Sequence, residues 1–136
     1  MKVAFATTDG AHVDEHFGRA GMFTIYEFTS EGYQNLEMRI FAEGQDIEVE
    51  GTKGQGALHD AAVKQKVERL SDCGIVYLTS IGGPSAARLA SKGIMPVKVP
   101  EGVGIEESAQ KLLEAIRTAP PPWLKKLIGG GHLTSA

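Results

Sequence analysis

The stretch "GIVYLTSIGGPSAARLASKGIMPVKV", residues 74–99, decides the fold of this chain. It opens with an apolar run over 74–80, which is typical of a strand buried on both faces. The residues that follow predict a loop and then a helix that begins at Pro84 and ends at Gly93. A second apolar run, over 94–99, completes a strand–helix–strand unit. Because such units pair their strands in parallel through a right-handed crossover, the stretch predicts an α/β fold.

Three strands and a helix are predicted upstream of this unit. Apolar runs at 2–8 and 22–29, the second rich in aromatic and β-branched residues, predict two strands. A third strand, at 35–42, is predicted to lie half-exposed at the edge of the sheet, in a hairpin with its predecessor. Its alternating apolar residues are Leu36, Met38 and Ile40. A glycine-rich loop at 43–56 and a helix at 57–71 follow.

The order of the elements predicts the architecture. A last helix, "GIEESAQKLLEAIR" at 104–117, completes the order β-β-β-α-β-α-β-α. A hairpin followed by strand–helix units gives a mixed five-stranded sheet with helices on both faces. The ribonuclease H-like three-layer α/β/α arrangement, with strand two antiparallel to the rest, satisfies this order. We therefore predict one domain over 1–119 and, over 120–136, a Pro-rich and then flexible C-terminal tail.

Composition and charge narrow the class of protein. Hydrophobic residues make up 42% of the 136 residues and charged residues 23%, which is ordinary for a globular domain. The net charge of −3 argues against a protein that binds nucleic acid. Cys73 is the only cysteine, so no intrachain disulfide can form and a reducing compartment is favoured. The sequence lacks a signal-like or membrane-length apolar run, which predicts a cytoplasmic protein without membrane binding.

Two loops of the predicted sheet carry the candidate functional residues. The first, "TTDGAHVDEHFGRA" at 7–20, follows strand one and holds His12 and His16. The second, "SIGGPS" at 80–85, follows strand four. Ligands of open α/β sheets bind beyond the carboxyl ends of the parallel strands, where the strand order switches. We therefore expect the two loops to meet there.

Metal binding is one interpretation of the histidines. Imidazole is the commonest metal ligand in proteins, and His16 is the strongest candidate. Its alternative role is to pack against a neighbour or to cap a turn. His12 and His59 are weaker candidates, since a lone loop histidine is usually solvated. The spacing "HVDEH" lacks the glutamate that follows the first histidine of a zinc-protease helix, so a zincin is excluded.

Cys73 is a candidate ligand of an iron cluster, and the glycine turn at 80–85 is a candidate anion-binding site. A thiolate suits iron, but Cys73 precedes strand four and is expected at the opposite end of the sheet from His16. Its alternative role is that of a small buried hydrophobe. One cysteine cannot supply the four thiolates of a permanent iron–sulfur cluster, whereas a preassembled cluster needs only one or two protein ligands. Backbone N–H groups near Ser80, Gly82 and Gly83 would attract an anion, unless the turn needs small residues for packing alone.

A metal-dependent hydrolase is a further alternative. Two-metal phosphodiester chemistry needs several carboxylates around ions about 4 Å apart. Strands one and four carry none, and Asp9 and Asp60 are the only plausible members. Two carboxylates are too few, so the sequence disfavours this chemistry.

The residues of both loops resemble a known family. The stretches "KVAFATTDGAHVDEHFG" (2–18) and "LSDCGIVYLTSIGGPSAARLASKGIMPVKV" (70–99), with the strand order, are similar to the dinitrogenase iron–molybdenum cofactor-binding family of the NifX/NafY type. The resemblance covers about residues 1–117 and is strongest to members that consist of this domain alone. It implies a ribonuclease H-like fold, no catalysis, and transient binding of an iron–sulfur precursor of the iron–molybdenum cofactor.

The resemblance also implies which residues hold the cluster. The family's "HFG" histidine falls on His16, followed by Phe17 and Gly18, and its "DC" cysteine falls on Cys73. Arg19 would add positive charge. Three nearby carboxylates would repel an anionic cluster unless they point outward or contact a partner. They belong to Asp9, Asp14 and Glu15.

The implied role is that of a carrier between nitrogenase cofactor-assembly proteins. These partners would be a scaffold complex and the enzyme that synthesises the precursor. The alternative is an interaction module that docks on the scaffold without holding the cluster.

Overall fold

The computed structural model describes residues 1–41 and 63–127. The strands are β1 (Lys2–Ala6), β2 (His12–Val13), β3 (Met22–Phe28), β4 (Tyr33–Ile40), β5 (Cys73–Leu78), β6 (Met95–Lys98) and β7 (Val103–Gly104). The helices are α1 (63–69), α2 (Gly83–Ser91), α3 (Ile105–Arg117) and α4 (Pro122–Leu127). The predicted loop at 43–56 lies outside the described residues.

Five strands form a mixed sheet in the order β4-β3-β1-β5-β6. β3 is antiparallel to both β1 and β4, whereas β5 is parallel to both β1 and β6. This arrangement confirms the predicted sheet, in which the second strand of the sheet runs against the others. It also confirms that the third strand, β4, runs in the same direction as β1.

The strand–helix–strand unit at 74–99 forms as its sequence predicts. Every residue of β5 is buried, as its unbroken apolar run requires. α2 has Pro84 in its first turn, where a missing N–H costs no helical hydrogen bond. Beyond the helix, Gly93 adopts a φ of 77°, and its N–H donates to the carbonyl of Ala90. That left-handed conformation favours glycine and turns the chain into β6.

Helices cover both faces of the sheet, which confirms the three-layer architecture. α1 and α2 pack on one face, against alternating residues of β1, β3 and β5. The core on this face includes Ala4, Ala6, Phe23, Ile25, Val67, Leu70, Val76, Leu78 and Leu89. α3 and α4 pack on the other face. The core there includes Val3, Phe5, Phe28, Ile75, Tyr77, Ile105, Ala109, Leu112 and Leu124.

One strand of a small second sheet, β2, forms within the loop predicted at 7–20. β2 pairs antiparallel with β7, with His12 opposite Gly104 and Val13 opposite Val103. Strands of two residues carry no periodic signal, so the sequence pattern could not reveal them. Val13 is fully buried and anchors the middle of the segment after β1.

The apolar residues of β4 do not face the core. The exposed fractions of Leu36, Met38 and Ile40 are 42%, 51% and 56%. Arg39 pairs with buried Phe23 and its side chain is only 15% exposed. The alternation holds at Met38, Arg39 and Ile40, whereas a register shift leaves Leu36 without a partner in β3. The sequence pattern does not show which face of this edge strand is covered.

Part of the predicted C-terminal tail packs on the domain. Residues 122–127 form α4, and Leu124 is fully buried in the core next to α3. Residues 128–136 lie outside the described residues. Among the helices that the structure describes, none combines the length and the hydropathy of a transmembrane segment.

Candidate functional site

His16 lies where the segment after β1 passes the end of β5. The N–H of Phe17 donates a hydrogen bond to the carbonyl of Ser80 (2.9 Å), and the N–H of Thr79 donates to the carbonyl of Glu15 (3.0 Å). Together they form a parallel bridge between His16 and Ser80. The two loops therefore meet at the carboxyl edge of the sheet, as predicted, and the His16 side chain is exposed there.

A buried ring and a tight turn fix the backbone that follows His16. Phe17 is fully buried and packs against Phe23, with ring centroids 6.0 Å apart. The N–H groups of Arg19 and Ala20 both donate to the carbonyl of His16, at 3.2 and 2.9 Å. An exposed imidazole is thus carried on a backbone that is held by the core.

An open cavity of about 460 Å³ adjoins His16. Its walls come from the ends of β5 and β6 and from the loop after β6. The lining residues are His16, Thr79, Ser80, Lys98, Val99, Pro100 and Glu101. The volume falls within the range of small-ligand sites, roughly 300–1,000 Å³. His16 and Ser80 are predicted from the sequence, whereas the wall at 98–101 is not. Lys98 nevertheless ends a strand parallel to β5 and so belongs at the ligand edge.

The cavity wall offers charge and hydrogen-bonding groups. Lys98 and Glu101 are both exposed and contribute one charge of each sign. The Thr79 hydroxyl is buried and has no hydrogen-bond partner among the described residues. Nearby, α2 begins after Gly82 without a side-chain cap, which leaves N–H groups at its positive end. An anion in the cavity would gain from the ammonium of Lys98.

Several residues that the sequence predicts at the site do not line this cavity. Gly82 and Gly83 are exposed at the start of α2, and Arg19 is exposed in the turn after His16. The carbonyl of Gly18 accepts a long hydrogen bond from Lys66 (3.4 Å). Their assignment to the binding site stays a prediction.

His12 is held by a carboxylate beside β2. Its Nδ1 lies 2.7 Å from one oxygen of Asp9, whose other oxygen accepts from the N–H groups of Ala11 (2.8 Å) and His12 (2.9 Å). These hydrogen bonds hold the pKa of Asp9 well below its usual range, and the bond to the His12 ring contributes most. His12 does not line the cavity. The described residues contain no group of three or more histidine, cysteine or carboxylate side chains placed to bind a metal ion.

Two acidic residues of the loop, Asp9 and Asp14, accept hydrogen bonds from other residues of the same loop. One oxygen of Asp14 accepts from the backbone N–H of Thr8 (2.8 Å), and the other from the Thr8 hydroxyl. Asp9 is engaged as described above, and Glu15 does not line the cavity. The carboxylates that would repel an anionic cluster therefore do not face the cavity, whose acidic group is the carboxylate of Glu101.

Cys73 lies at the far end of β5 from His16. It is 1% exposed and pairs with Lys2 at the start of β1, as expected from its position before strand four. Burial raises the pKa of the Cys73 thiol to about 12, so the thiolate that iron needs is disfavoured at neutral pH. Burial and position both argue against Cys73 as a ligand of a cluster held at His16. His59 lies outside the described residues.

Comparison with known proteins places the chain in a family. The family model described as dinitrogenase iron-molybdenum cofactor matches residues 1–115. Protein NifX of Herbaspirillum seropedicae is 35% identical over 132 residues, which cover 97% of this chain and 84% of the relative. Protein NifX of Sinorhizobium fredii is 34% identical over 128 residues, which cover 94% of this chain and 78% of that relative.

A solved structure shows the same fold at low sequence identity. The apo form of the orange protein from Desulfovibrio gigas has a TM-score of 0.56 and 18% identity over 84% of this chain and 88% of that one. At this identity the likeness concerns the fold alone. The match over residues 1–115 and the similarity to NifX confirm the resemblance seen in the sequence, and the chain belongs to the dinitrogenase iron–molybdenum cofactor family.

Proposed function

We propose that the protein is a non-enzymatic carrier that binds an iron–sulfur precursor of the iron–molybdenum cofactor beside His16 and passes it between cofactor-assembly proteins. One observation carries the proposal. The backbone of His16 is held by the bridge to Ser80, and its exposed imidazole lies at an open cavity that is also lined by Lys98. Membership of the family supports the identity of the cargo.

The donor set suits a preassembled cluster better than a single metal ion. A metal ion needs several protein ligands, and the described residues offer no such group. A cluster brings its own sulfides and can accept a single imidazole nitrogen from His16 at one iron. Its negative charge would be stabilised by the ammonium of Lys98.

The same features favour release. The cavity is open and His16 is exposed, so a partner could reach the cargo while it is still bound. Few protein ligands and a charge attraction screened by solvent give moderate affinity. A scaffold complex and the precursor-synthesising enzyme are the partners that such a carrier would serve.

Anaerobic titration with isolated iron–molybdenum cofactor tests the carrier role. The wild-type protein should retain iron through gel filtration, and His16→Ala should lower the affinity at least about tenfold, or 1.4 kcal/mol, because the imidazole ligand at the cavity is gone. His12→Ala is the matched control, since His12 is an exposed histidine of the same loop that does not line the cavity. Equal retention by wild type and His16→Ala would remove His16 from the site.

The same experiment separates the carrier from a docking module. A docking module would retain no iron and would bind an assembly partner equally well with and without the cofactor. That pair of results would replace the carrier proposal with the docking alternative.

A further inference from the structure

Lys66 is a buried cation that ends directly below the turn after His16. Its side chain is on α1 and the residue is 3% exposed. Its Nζ lies 2.9 Å from the carbonyl oxygen of Phe17, 3.4 Å from that of Gly18 and 3.0 Å from that of Ala20. We infer that Lys66 is a positioning residue, which holds this turn so that His16 presents its imidazole to the cavity. The effect of Lys66 on binding of the cargo rests on the proposed function.

The chemistry of the ammonium matches the turn. An ammonium carries three N–H donors, and three backbone carbonyls converge on it. Bonds from a charged donor are about twice as strong as neutral ones. The same Nζ lies 5.5 Å from the centroid of the Phe17 ring, within the range of a cation–π contact. The ammonium therefore holds both the backbone and the buried ring of the residue next to His16.

The cost of burying this charge indicates that its contacts matter. A buried ammonium loses several kcal/mol of hydration, which must be offset by well-placed acceptors. A methionine or leucine would fill the same space on α1 without that cost. Lys66 occupies such a place, three residues after Val63 and one before Val67 on the apolar stripe of the helix.

The turn links the ammonium to the imidazole through backbone atoms. The carbonyls of Phe17 and Ala20 bind Lys66, while the N–H groups of the same two residues bind Ser80 and His16. If the ammonium is removed, the carbonyls must turn toward water, and the N–H bonds on the other side of the same residues loosen. The bridge that fixes His16 depends on those bonds.

Three variants test the inference in the cluster-free protein. Lys66→Met removes the charged group and keeps an unbranched side chain that is one atom shorter. Lys66→Arg keeps the charge, but its planar fork cannot converge on three carbonyls. Lys64→Met is the control, since Lys64 is an exposed lysine of the same helix. Hydrogen exchange by NMR is measured at the Phe17 and Ala20 amides and compared with amides of β1, together with the His16 ring signals.

We expect Lys66→Met to accelerate exchange at the Phe17 and Ala20 amides at least about tenfold relative to β1, and to shift the His16 ring signals. Lys66→Arg should give an intermediate acceleration and Lys64→Met none. If Lys66→Met does not fold, Lys66→Arg carries the test. Wild-type exchange at both amides in the variant that folds would overturn the inference.

Binding of isolated iron–molybdenum cofactor then tests the consequence for the cargo. Lys66→Met, or Lys66→Arg if it alone folds, should weaken binding about tenfold and change the electron paramagnetic resonance spectrum of the bound cluster, which a purely structural role would leave unchanged. A loosened turn with unchanged affinity and spectrum would overturn the positioning role. If the wild-type protein binds no cofactor while exchange at the turn responds to Lys66, the carrier proposal fails and the control of the His16 turn by Lys66 stands.

Discussion

The backbone N–H of Phe17 lies 2.9 Å from the carbonyl oxygen of Ser80, and this bond joins the segment after β1 to the end of β5. The two residues are far apart in sequence and are brought together by the parallel pairing of β1 with β5. The bond gives His16 a backbone position set by the sheet. The candidate site is therefore preorganised, although its imidazole is exposed.

An ion pair between Arg39 of β4 and Asp72, just before β5, should make stability depend on pH. The Arg39 guanidinium binds both oxygens of Asp72 (2.8 and 2.9 Å), with Lys2 at 3.1 Å, and holds the pKa of that carboxyl well below its usual range. A lowered pKa means that this stabilisation is complete above about pH 4, the usual value for aspartate, and is lost as the pH falls below it.

Asp72→Asn should therefore lower the free energy of unfolding at pH 7 by about 0.5–1 kcal/mol, a small effect because solvent screens a 43% exposed side chain. The difference from wild type should shrink as the pH falls below about 4. Urea unfolding between about pH 3 and 7 measures both quantities. A difference that stays constant over this range would contradict the role of the Asp72 charge.

The site is predictable from sequence where it depends on topology. The strand–helix–strand unit at 74–99 fixes the direction of the parallel strands, and this direction brings His16 to Ser80. The same rule places Lys98 at this edge, since it ends a strand parallel to β5. Its neighbours in sequence, a valine and a proline, form no motif that would mark it as a site residue.

Other features depend on packing that a sequence pattern does not encode. The alternation in β4 holds at Met38, Arg39 and Ile40, but the coverage of each face depends on where the helices lie. Lys66 can be noticed in the sequence, because it is a cation within the apolar stripe of a helix. Its three acceptors, however, belong to a turn that is distant in sequence.

Cys73 should be chemically inert in the folded protein. It is 1% exposed and burial raises its pKa to about 12, so very little thiolate is present at pH 8. We expect iodoacetamide to modify it at least about 100-fold more slowly in buffer than in denaturant. Cys73→Ala should cost roughly 1 kcal/mol of stability and leave cofactor retention unchanged. Loss of retention in a folded Cys73→Ala protein would return Cys73 to the list of ligands.

The exposed apolar face of β4 should tolerate charge. Met38 and Ile40 are 51% and 56% exposed, so Met38→Lys or Ile40→Lys should change the free energy of unfolding by no more than about 0.5 kcal/mol. Ile25→Ala, at a fully buried position of the neighbouring strand β3, should cost about 2–5 kcal/mol. Urea unfolding of the three variants checks the contrast. A cost for Ile40→Lys comparable with that of Ile25→Ala would show that this face is covered in solution.

Lys98 should attract the cargo through its charge. It lines the cavity beside His16 and is exposed, so Lys98→Met should weaken binding of isolated iron–molybdenum cofactor about fivefold, close to 1 kcal/mol for a screened charge. Because screening by salt removes the same attraction, the affinity of Lys98→Met should also fall less steeply with ionic strength than that of wild type. Lys111→Met is the control, since Lys111 is a 77% exposed lysine on α3 that does not line the cavity. If both variants bind the cofactor equally well at low salt, the ammonium of Lys98 does not face the bound cluster, and the charge that attracts the cargo must be sought elsewhere at this edge of the sheet.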